Sequence, residues 1–565
     1  MAEPIDLAQI NQRMTIEGFD YPRRQKWLED SWAEPLEFWL ALIERHSMSC
    51  NLRSKSMPFQ YYDFIYDALQ RMDNASLPAL RFISNQGEEV ITYDSLRKEV
   101  AGTAKFWLAS GVLPGTAITV LLPFSTEYVI ALLAGLATGA TLSFIPPAGA
   151  LLVNKRLENS APDFVVSDEL YGRLAIESGL SMLPPRVGPT KDPLPSFAYP
   201  SGAPVFRLFD PCQQRDNLPV EVTADVAFLS ALRDGMIFLG LRPGDTFAAP
   251  DCHLLEHQPA LILATLLNGA TWLEAKGRDG GWWANQSLRA ILLNSLLREE
   301  LLETDDLVDF KWDLWTRDLS QAGALDRWQA LASLGNLKEI AGAAGKWNAA
   351  LGGAILWSMR RRGSTAGFTL PAPGVPWLLT NPADGISEAV LGFGLFTPLW
   401  LEEAPTEGGN SACLMAESTI EYPFSGISGH SRSGRFYPVN ELLGILQEEF
   451  GTCSCAIGIV PRPGSLDSRF DALIFVEQSL ENESAIVERV ERLTEQQLGG
   501  AFKPDKVVVL PLSVRRGEGG NIDLEWVSKR YASGALSFMV RTSSHRALSD
   551  MRGFMQRAKE TLEHA

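Results

Sequence analysis

Apolar and polar stretches follow a fixed order after the motif Gly-Val-Leu-Pro-Gly at 111–115. An apolar run at 117–123 predicts a strand, and a longer apolar run at 127–138 predicts a helix. A Gly-Ala-Thr turn at 139–141 then opens another strand. This order is typical of a βαβ crossover, which places parallel strands side by side beneath a helix.

The same order returns later in the chain, from Gly-Leu-Arg-Pro-Gly at 240–244. A strand is predicted at 246–250 and a helix at 258–267, followed by a second Gly-Ala-Thr turn at 269–271. The glycine of each turn suits the left-handed residue that commonly ends a helix. We therefore predict a doubled α/β body with two related parallel sheets.

The end of the chain has a different pattern. Pro and Gly collect at 183–204, which predicts a long connection within the first body. Beyond it, strands at 456–460, 472–477 and 506–510, with a helix at 483–498, predict a small α+β domain.

The fold class is therefore α/β, with a large N-terminal domain of two related βαβ subdomains and a small α+β C-terminal domain. An aromatic-rich leading segment predicts short amphipathic helices. We divide the chain into a helical extension, the large domain, the small domain and a helical tail, at 1–75, 76–420, 421–540 and 541–565.

Composition narrows the class of protein. The 565 residues are 46% hydrophobic, as in globular proteins, and exceed what one core normally supports. A net charge of −18 disfavours binding to nucleic acid or to an anionic membrane. We find no apolar run of the ~20 residues that a membrane span needs. With six scattered cysteines and no signal-peptide pattern, we expect a cytoplasmic protein.

Several motifs resemble those of the acyl-adenylate-forming superfamily of acyl-CoA synthetases, luciferase and adenylation domains. Thr-Tyr-Asp-Ser-Leu at 92–96 is similar to its T-Y-x-x-L, and 111–123 to its G-V-x-P-G-D-x-V-x-x-x-L-P. Phe-Lys-Pro at 502–504 and the stretch from Leu510 to Asp523 resemble its closing segment. The resemblance implies a ligase that activates a carboxylate with ATP and Mg²⁺ and then transfers the acyl group to a thiol.

The phosphate loop that the resemblance implies, S-G-T-T-G-x-P-K-G, is missing. It should follow a strand at 205–209, but the chain continues as Asp-Pro-Cys-Gln-Gln-Arg-Asp-Asn-Leu-Pro at 210–219. Glycines let successive backbone N–H groups converge on phosphate oxygens, and there is no glycine between Ala203 and Asp234. Asp210 and Asp216 would also repel phosphate.

Three more of the family's elements are absent. No Y-G-x-T-E motif for adenine and magnesium occurs between Leu337 and Gly363. Ile427 stands where the hinge arginine belongs, although Arg432 or Arg435 offers a substitute. Asn521 occupies the position of the lysine that supports adenylation. Since one preorganised donor is typically worth ~10²–10³ in rate, we expect no catalytic and no cofactor-binding residues.

The acyl pocket is a separate question. His253, in Pro-Asp-Cys-His, resembles the family's P-x-x-H at the pocket wall, and Trp347 follows a segment near the position of its G-G-A-P turn. We take His253 and Trp347 as candidate pocket residues, with plain packing as the alternative. His257 lies four residues after His253, but no third ligand is evident, so we expect no metal.

The resulting hypothesis is an acyl-CoA ligase-like protein that has lost ATP-dependent adenylation. It would act as a non-catalytic scaffold or partner-binding subunit, with an acyl carrier protein or a pathway enzyme as partner. Two alternatives stay open: a working acyl-CoA or acyl-carrier ligase with relocated ATP contacts, and an acyl-group binding module. ATP and Mg²⁺ are expected only for the first alternative.

Overall fold

The fold is described from a computed structural model. It describes residues 39, 40, 43, 48–50, 60–146, 148–168, 171–173, 176, 179–209, 218–239, 241–249, 258–275, 286–293, the strands named below between 313 and 437, and 438–450, 455–461, 470–476, 483–510 and 523–539. The chain divides into a large unit, Met1–Pro147 with Asn154–Ser428, and a small unit, Ala148–Val153 with Gly429–Ala565.

The first sheet of the large unit has the strand order β10-β9-β5-β4-β6-β7. Its central strands are parallel, and β10 is antiparallel to β9. The strands of this sheet are β4 (Ala117–Leu121), β5 (Thr141–Phe144), β6 (Phe164–Ser167), β7 (Ser181–Leu183), β9 (Pro204–Leu208) and β10 (Val220–Thr223).

The second sheet has the order β19-β18-β15-β14-β13-β11-β12-β2-β3. It is parallel from β15 to β2, with antiparallel strands at both edges. Its strands are β2 (Pro78–Ser84), β3 (Gly87–Thr92), β11 (Thr246–Ala248), β12 (Thr271–Ala275), β13 (Ala290–Leu293), β14 (Asp313–Thr316), β15 (Glu339–Gly342), β18 (Leu356–Arg360) and β19 (Gly367–Pro371).

Both predicted βαβ units are confirmed. Helix α2 (Thr126–Thr138) connects the parallel strands β4 and β5, and helix α5 (Gln258–Leu266) connects β11 and β12. The glycines that follow these helices have the expected positive φ, 79° at Gly139 and 68° at Gly269. A side chain at either position would strain the backbone.

The two copies exchange their opening hairpins. The hairpin β2–β3 precedes the first copy but joins β12 of the second sheet. The hairpin β9–β10 precedes the second copy but joins β5 of the first sheet. Each sheet is therefore completed by strands from the other copy.

The same hydrogen bonds recur at both junctions. The buried hydroxyl of Tyr199 donates to the carbonyl of Ala140 at 2.8 Å, and that of Tyr93 donates to the carbonyl of Ala270 at 2.7 Å. The threonine that opens each inner strand, Thr141 or Thr271, donates its hydroxyl to a carbonyl of the exchanged hairpin. The duplication therefore extends to single side chains.

A series of aromatic rings packs between the two sheets. Phe144 of β5 lies 5.0 Å from Tyr128 of α2, measured between ring centroids, and Tyr128 lies 5.5 Å from Phe124. Phe124 in turn lies 5.5 Å from Trp272 of β12. These rings are all buried, so they join the two layers into one core.

The Pro- and Gly-rich connection forms a strap, residues 184–192, along helix α1 (Tyr93–Ala109). The indole N–H of Trp107 donates to the carbonyl of Pro184 at 3.0 Å. Arg186 pairs with Glu99 through two hydrogen bonds, of 2.6 and 3.1 Å. The N–H groups of Val187 and Thr190 donate to Thr103 Oγ1 and to the carbonyl of Lys98. Gly102 leaves the space that the strap occupies, since a Cβ there would lie 2.0 Å from the carbonyl oxygen of Gly188.

The small unit contains the sheet β26-β27-β28, in which β26 and β27 are antiparallel and β27 and β28 are parallel. Its elements are β24 (His430–Arg432), β25 (Arg435–Tyr437), α6 (Val439–Phe450), β26 (Cys455–Pro461), β27 (Phe470–Val476), α7 (Glu483–Gln497), a 3-10 turn (Gly500–Phe502), β28 (Lys506–Leu510) and α8 (Leu524–Ala532). The bounds of β26, β27, β28 and α7 lie within two residues of those predicted for the three strands and the helix.

The remaining elements lie outside the three sheets described above. They are β1 (Tyr61–Tyr62), a π-helix (Tyr66–Gln70), α3 (Ala150–Ser160), β8 (Tyr199–Pro200), α4 (Ala224–Arg233), a second π-helix (Asp234–Phe238), β16 (Trp347–Asn348), β17 (Gly353–Ala354), β20 (Trp377–Thr380), β21 (Ser387–Leu391), β22 (Ser411–Leu414) and β23 (Ile420–Glu421). Within the described ranges, no helix has the length and apolarity to cross a membrane.

Candidate functional site

The predicted site residues fall largely outside the described residues. His253, Ile427, Asn521 and the segment 210–217 all lie there. Trp347 is described in its backbone, as the first residue of β16, where it pairs with Ala354 of β17. The pocket assignment of His253 and Trp347 therefore stays a prediction.

The strands on either side of the glycine-free segment fix where it begins and ends. β9 and β10 form an antiparallel hairpin in which Leu208 pairs with Val220. Arg207 reinforces the pairing by donating from Nε to Glu221 Oε1 at 3.0 Å. Because β9 is parallel to β5, the segment leaves from the carboxyl edge of the first sheet. Ligands of open α/β sheets bind at this edge.

The exchanged hairpin of the first copy provides an internal comparison. There, Ser84 of β2 pairs with Gly87 of β3, so only Asn85 and Gln86 form the turn. In the second copy, the whole stretch from Phe209 to Pro219 joins the equivalent strands. The candidate segment thus connects the two strands of its hairpin through 11 residues, where the first copy uses two.

A buried cation lies where this segment begins. The guanidinium carbon of Arg156, on α3, lies 5.2 Å from the ring centroid of Phe209, the residue after β9. Arg156 is only 7% exposed. Cation–π attraction is strongest in desolvated surroundings, and guanidinium groups bind carboxylate or phosphate bidentately. A buried guanidinium therefore packs against the residue that opens the segment.

The N-terminus of α2, at the same edge, is capped by the side chain of Ser125. Ser125 Oγ accepts a hydrogen bond from the N–H of Tyr128 at 3.3 Å. Thr126 Oγ1 donates to Glu89 Oε1 at 3.4 Å. These contacts fix the helix start, and they place a carboxylate beside it.

Two strands of the second sheet end shortly before the predicted pocket residues in the chain. β11 ends at Ala248, before His253, and β15 ends at Gly342, before Trp347. The two strands are parallel and separated by β13 and β14. At the usual strand spacing, their carboxyl ends lie about 14 Å apart.

Comparisons with known proteins identify the architecture. No family model and no curated protein matches the sequence. Among solved structures, a double mutant of o-succinylbenzoate CoA synthetase from Bacillus subtilis is similar with a TM-score of 0.60 at 12% identity, over 83% of this chain and 98% of that chain. An amide bond synthetase from Marinactinospora thermotolerans gives 0.60 at 15%, over 83% and 99%. Acetoacetyl-CoA synthetase from Streptomyces lividans gives 0.55 at 15%, over 88% of each chain.

The chain has the acyl-adenylate-forming fold. At these identities the likeness establishes the fold alone, and it confirms the fold inferred from the motifs. The large and small domains predicted for this fold correspond in kind to the α/β body and the α+β unit described above.

Within this fold, the hinge candidates lie on a hairpin of the small unit. Arg432 of β24 and Arg435 of β25 pair across its closed end. The hairpin is anchored by Tyr437, whose hydroxyl donates to the carbonyl of Phe502 at 2.8 Å and whose ring stacks on Phe470 at 4.5 Å. These contacts of Tyr437 attach the end of β25 to the core of the small unit.

The stretch that resembles the closing segment of that family ends in a helix cap. Asp523 caps α8, because its Oδ1 accepts a hydrogen bond from the N–H of Trp526 at 3.0 Å. This residue lies two positions after Asn521. Asp523 therefore helps to start α8.

Arg156 is the site residue that sequence reasoning missed. It lies in a mixed apolar and polar helix, and nothing in its neighbours along the chain distinguishes it from a surface arginine. Its significance comes from burial against Phe209, which depends on tertiary packing. In the described parts of the chain, no three His, Cys, Asp or Glu side chains group as metal ligands would.

Proposed function

We propose that this protein keeps the acyl-adenylate-forming fold without ATP-dependent adenylation, and acts as a non-catalytic partner-binding subunit in a biosynthetic pathway. The observation that carries the proposal is the composition of the segment between Leu208 and Val220. It stands at the ligand-binding edge of the first sheet, where the resemblance places the phosphate loop.

This segment is poorly suited to hold a triphosphate. A phosphate cradle needs backbone N–H groups that converge, and glycine permits that conformation without side-chain clashes. The segment has no glycine, and Asp210 and Asp216 add negative charge. Ile427 and Asn521 extend the deficit to the hinge and to the small domain. Losses at several elements of one reaction need not add, yet each alone would slow it substantially.

An acyl carrier protein or an enzyme of the same pathway is the partner we propose. An artificially fused adenylation–PCP di-domain from Klebsiella oxytoca has a similar structure, with a TM-score of 0.56 at 15% identity over 79% of this chain and 92% of that chain. Carrier proteins are commonly acidic, so binding one would need a local positive surface on a chain of net charge −18. We place this role in the cytoplasm.

Arg156 favours a second candidate, a working acyl-CoA or acyl-carrier ligase with relocated ATP contacts. A buried guanidinium at the start of the segment would supply a cation at the edge where phosphate binds. A third candidate, an acyl-group binding module, rests on His253 and Trp347 as pocket residues.

Calorimetric titration of the full chain with ATP and Mg²⁺, paired with a pyrophosphate-release assay over a panel of carboxylic acids, separates the first two candidates. The proposal predicts no ATP binding up to millimolar concentration and no acid-dependent pyrophosphate. Micromolar binding with acid-dependent release would overturn it.

Two arginine variants sharpen that test. If ATP binds, Arg156→Gln should weaken binding at least tenfold, whereas Arg207→Gln, a cation paired with Glu221 on the same sheet, should not. Titration with acyl-CoA and free acids tests the third candidate. Co-purification of a stoichiometric pathway protein would support the partner role.

A further inference from the structure

A buried carboxylate connects residues 48–50 to the π-helix Tyr66–Gln70. Asp67 is fully buried, at 0% exposure. Its Oδ1 and Oδ2 accept from the backbone N–H of Ser49 at 3.0 and 3.2 Å, and Oδ2 also accepts from Ser49 Oγ at 2.5 Å. One side chain therefore holds this segment through three hydrogen-bond contacts.

The segment held in this way belongs to the core of the large unit. Met48 and Cys50, on either side of Ser49, are both buried in its main apolar cluster. Opening the Ser49–Asp67 contact would expose part of this cluster together with the carboxylate. The contact and the docking of the segment are therefore coupled.

The charge of Asp67 is only partly compensated. Arg71 Nε lies 3.5 Å from Oδ1, while Arg71 Nη2 donates to the carbonyl of Leu267 at 2.9 Å. Asp63, one turn earlier, adds a like charge, and Cys50 lies next to Ser49. Burial outweighs the Ser49 hydrogen bonds and the Arg71 charge, and raises the pKa of Asp67 from 3.8 to about 6. Burial also raises the pKa of the Cys50 thiol, so Cys50 stays neutral across this range.

We propose that this contact is an acid-stabilised clamp: Asp67 takes up a proton when residues 48–50 dock, and releases it when they open. A protonated carboxyl can donate to Ser49 Oγ while still accepting from the Ser49 N–H, so the contact survives protonation. The ionised carboxylate is destabilised in this buried position because it has lost its hydration.

The direction of the pH effect follows from linkage. The pKa of Asp67 is higher in the docked state than in the open state. Protonation therefore stabilises the docked state, fully below about pH 4, and this stabilisation is lost as pH rises from about 4 to 6. With 3.8 for the open state and about 6 for the docked state, the docking equilibrium at pH 5 is about tenfold more favourable than at pH 7.5.

Hydrogen exchange of the full chain between pH 5 and 7.5, corrected for the intrinsic exchange rate, tests the clamp. Protection of the amides in 48–50 and 66–70 should be about tenfold greater at pH 5. A flat profile, or protection that rises with pH, would overturn the proposal.

Three variants separate Asp67 from other causes. Asp67→Asn should remove the pH dependence, and a dependence that persists would also overturn the proposal. Ser49→Ala removes a donor to the carboxylate, so it should make the dependence steeper. Asp94→Asn, at a carboxylate that is 48% exposed and paired with Lys98, should leave the tenfold ratio unchanged. If Asp67→Asn does not fold, the pH dependence of the wild type and its change in Ser49→Ala still test the proposal.

Discussion

Gly102, in the middle of α1, is the position where one methyl group tests the strap most directly. At an open helix position, replacing Gly by Ala stabilises by roughly 0.5–1 kcal/mol. At Gly102, the new Cβ would lie 2.0 Å from the carbonyl oxygen of Gly188, where ordinary contacts begin at 3.4 Å. The obstacle is backbone, so the strap must move.

That movement has a cost that can be worked out from the structure. The strap is held on both sides of Gly188, by the N–H of Val187 to Thr103 Oγ1 at 3.2 Å and by the N–H of Thr190 to the carbonyl of Lys98 at 3.1 Å. Losing these bonds costs about 1 kcal/mol each, and overpacking costs about 1–3 kcal/mol. After the propensity gain, we expect Gly102→Ala to destabilise the large unit by about 2–4 kcal/mol.

The matched control is Gly444→Ala. Gly444 is an exposed glycine within α6, and a Cβ there meets nothing within 4 Å. We expect this variant to stabilise the small unit by roughly 0.5–1 kcal/mol. Urea unfolding should be followed by hydrogen exchange, so that each unit's transition is read separately. If Gly102→Ala stabilised its unit as Gly444→Ala does, the close approach of strap and helix would be refuted.

Tyr93→Phe and Tyr199→Phe should each lower the free energy of unfolding of the large unit by about 1–3 kcal/mol in chemical denaturation, because each leaves a buried carbonyl without its donor. Tyr66→Phe, at an exposed ring, is their control. Equal stability of all three variants would show that the two buried tyrosine hydroxyls do not stabilise the large unit. Asp523→Ala should lower the stability of the small unit by about 1 kcal/mol through loss of the α8 cap, whereas Asp523→Asn should retain most of it. Exchange rates of the α8 amides check this, and equal rates in the two variants would count against the cap.

The local elements of the fold could be predicted because turn chemistry marks their ends. The Gly-x-x-Pro-Gly and Gly-Ala-Thr motifs bound the strands and helices of both copies to within a few residues, and β28 has the predicted bounds. The hairpin exchange could not be predicted, since alternating hydrophobicity shows which face is buried but not which strand is the neighbour.

Long-range contacts explain the other omissions. The strap was predicted as a connection, but its course along α1 depends on pairs such as Arg186 with Glu99, far apart in sequence. The π-helix that carries Asp67 has no periodicity signal of its own. In the candidate site, His253, Trp347 and Asn521 came from the family resemblance, while Arg156 became apparent only from its packing on Phe209.

The exchanged hairpins also constrain how the large unit can be made. As the chain leaves the ribosome, β4, β5 and β6 emerge before β9 and β10, so the first sheet stays incomplete until most of the second copy's hairpin is synthesised. The hairpin β2–β3 waits longer still, because the edge of β2 that pairs with β12 has no partner strand until β12 is synthesised. Neither copy can therefore complete its sheet alone, and the long-range pairing that completes both sheets has to form late.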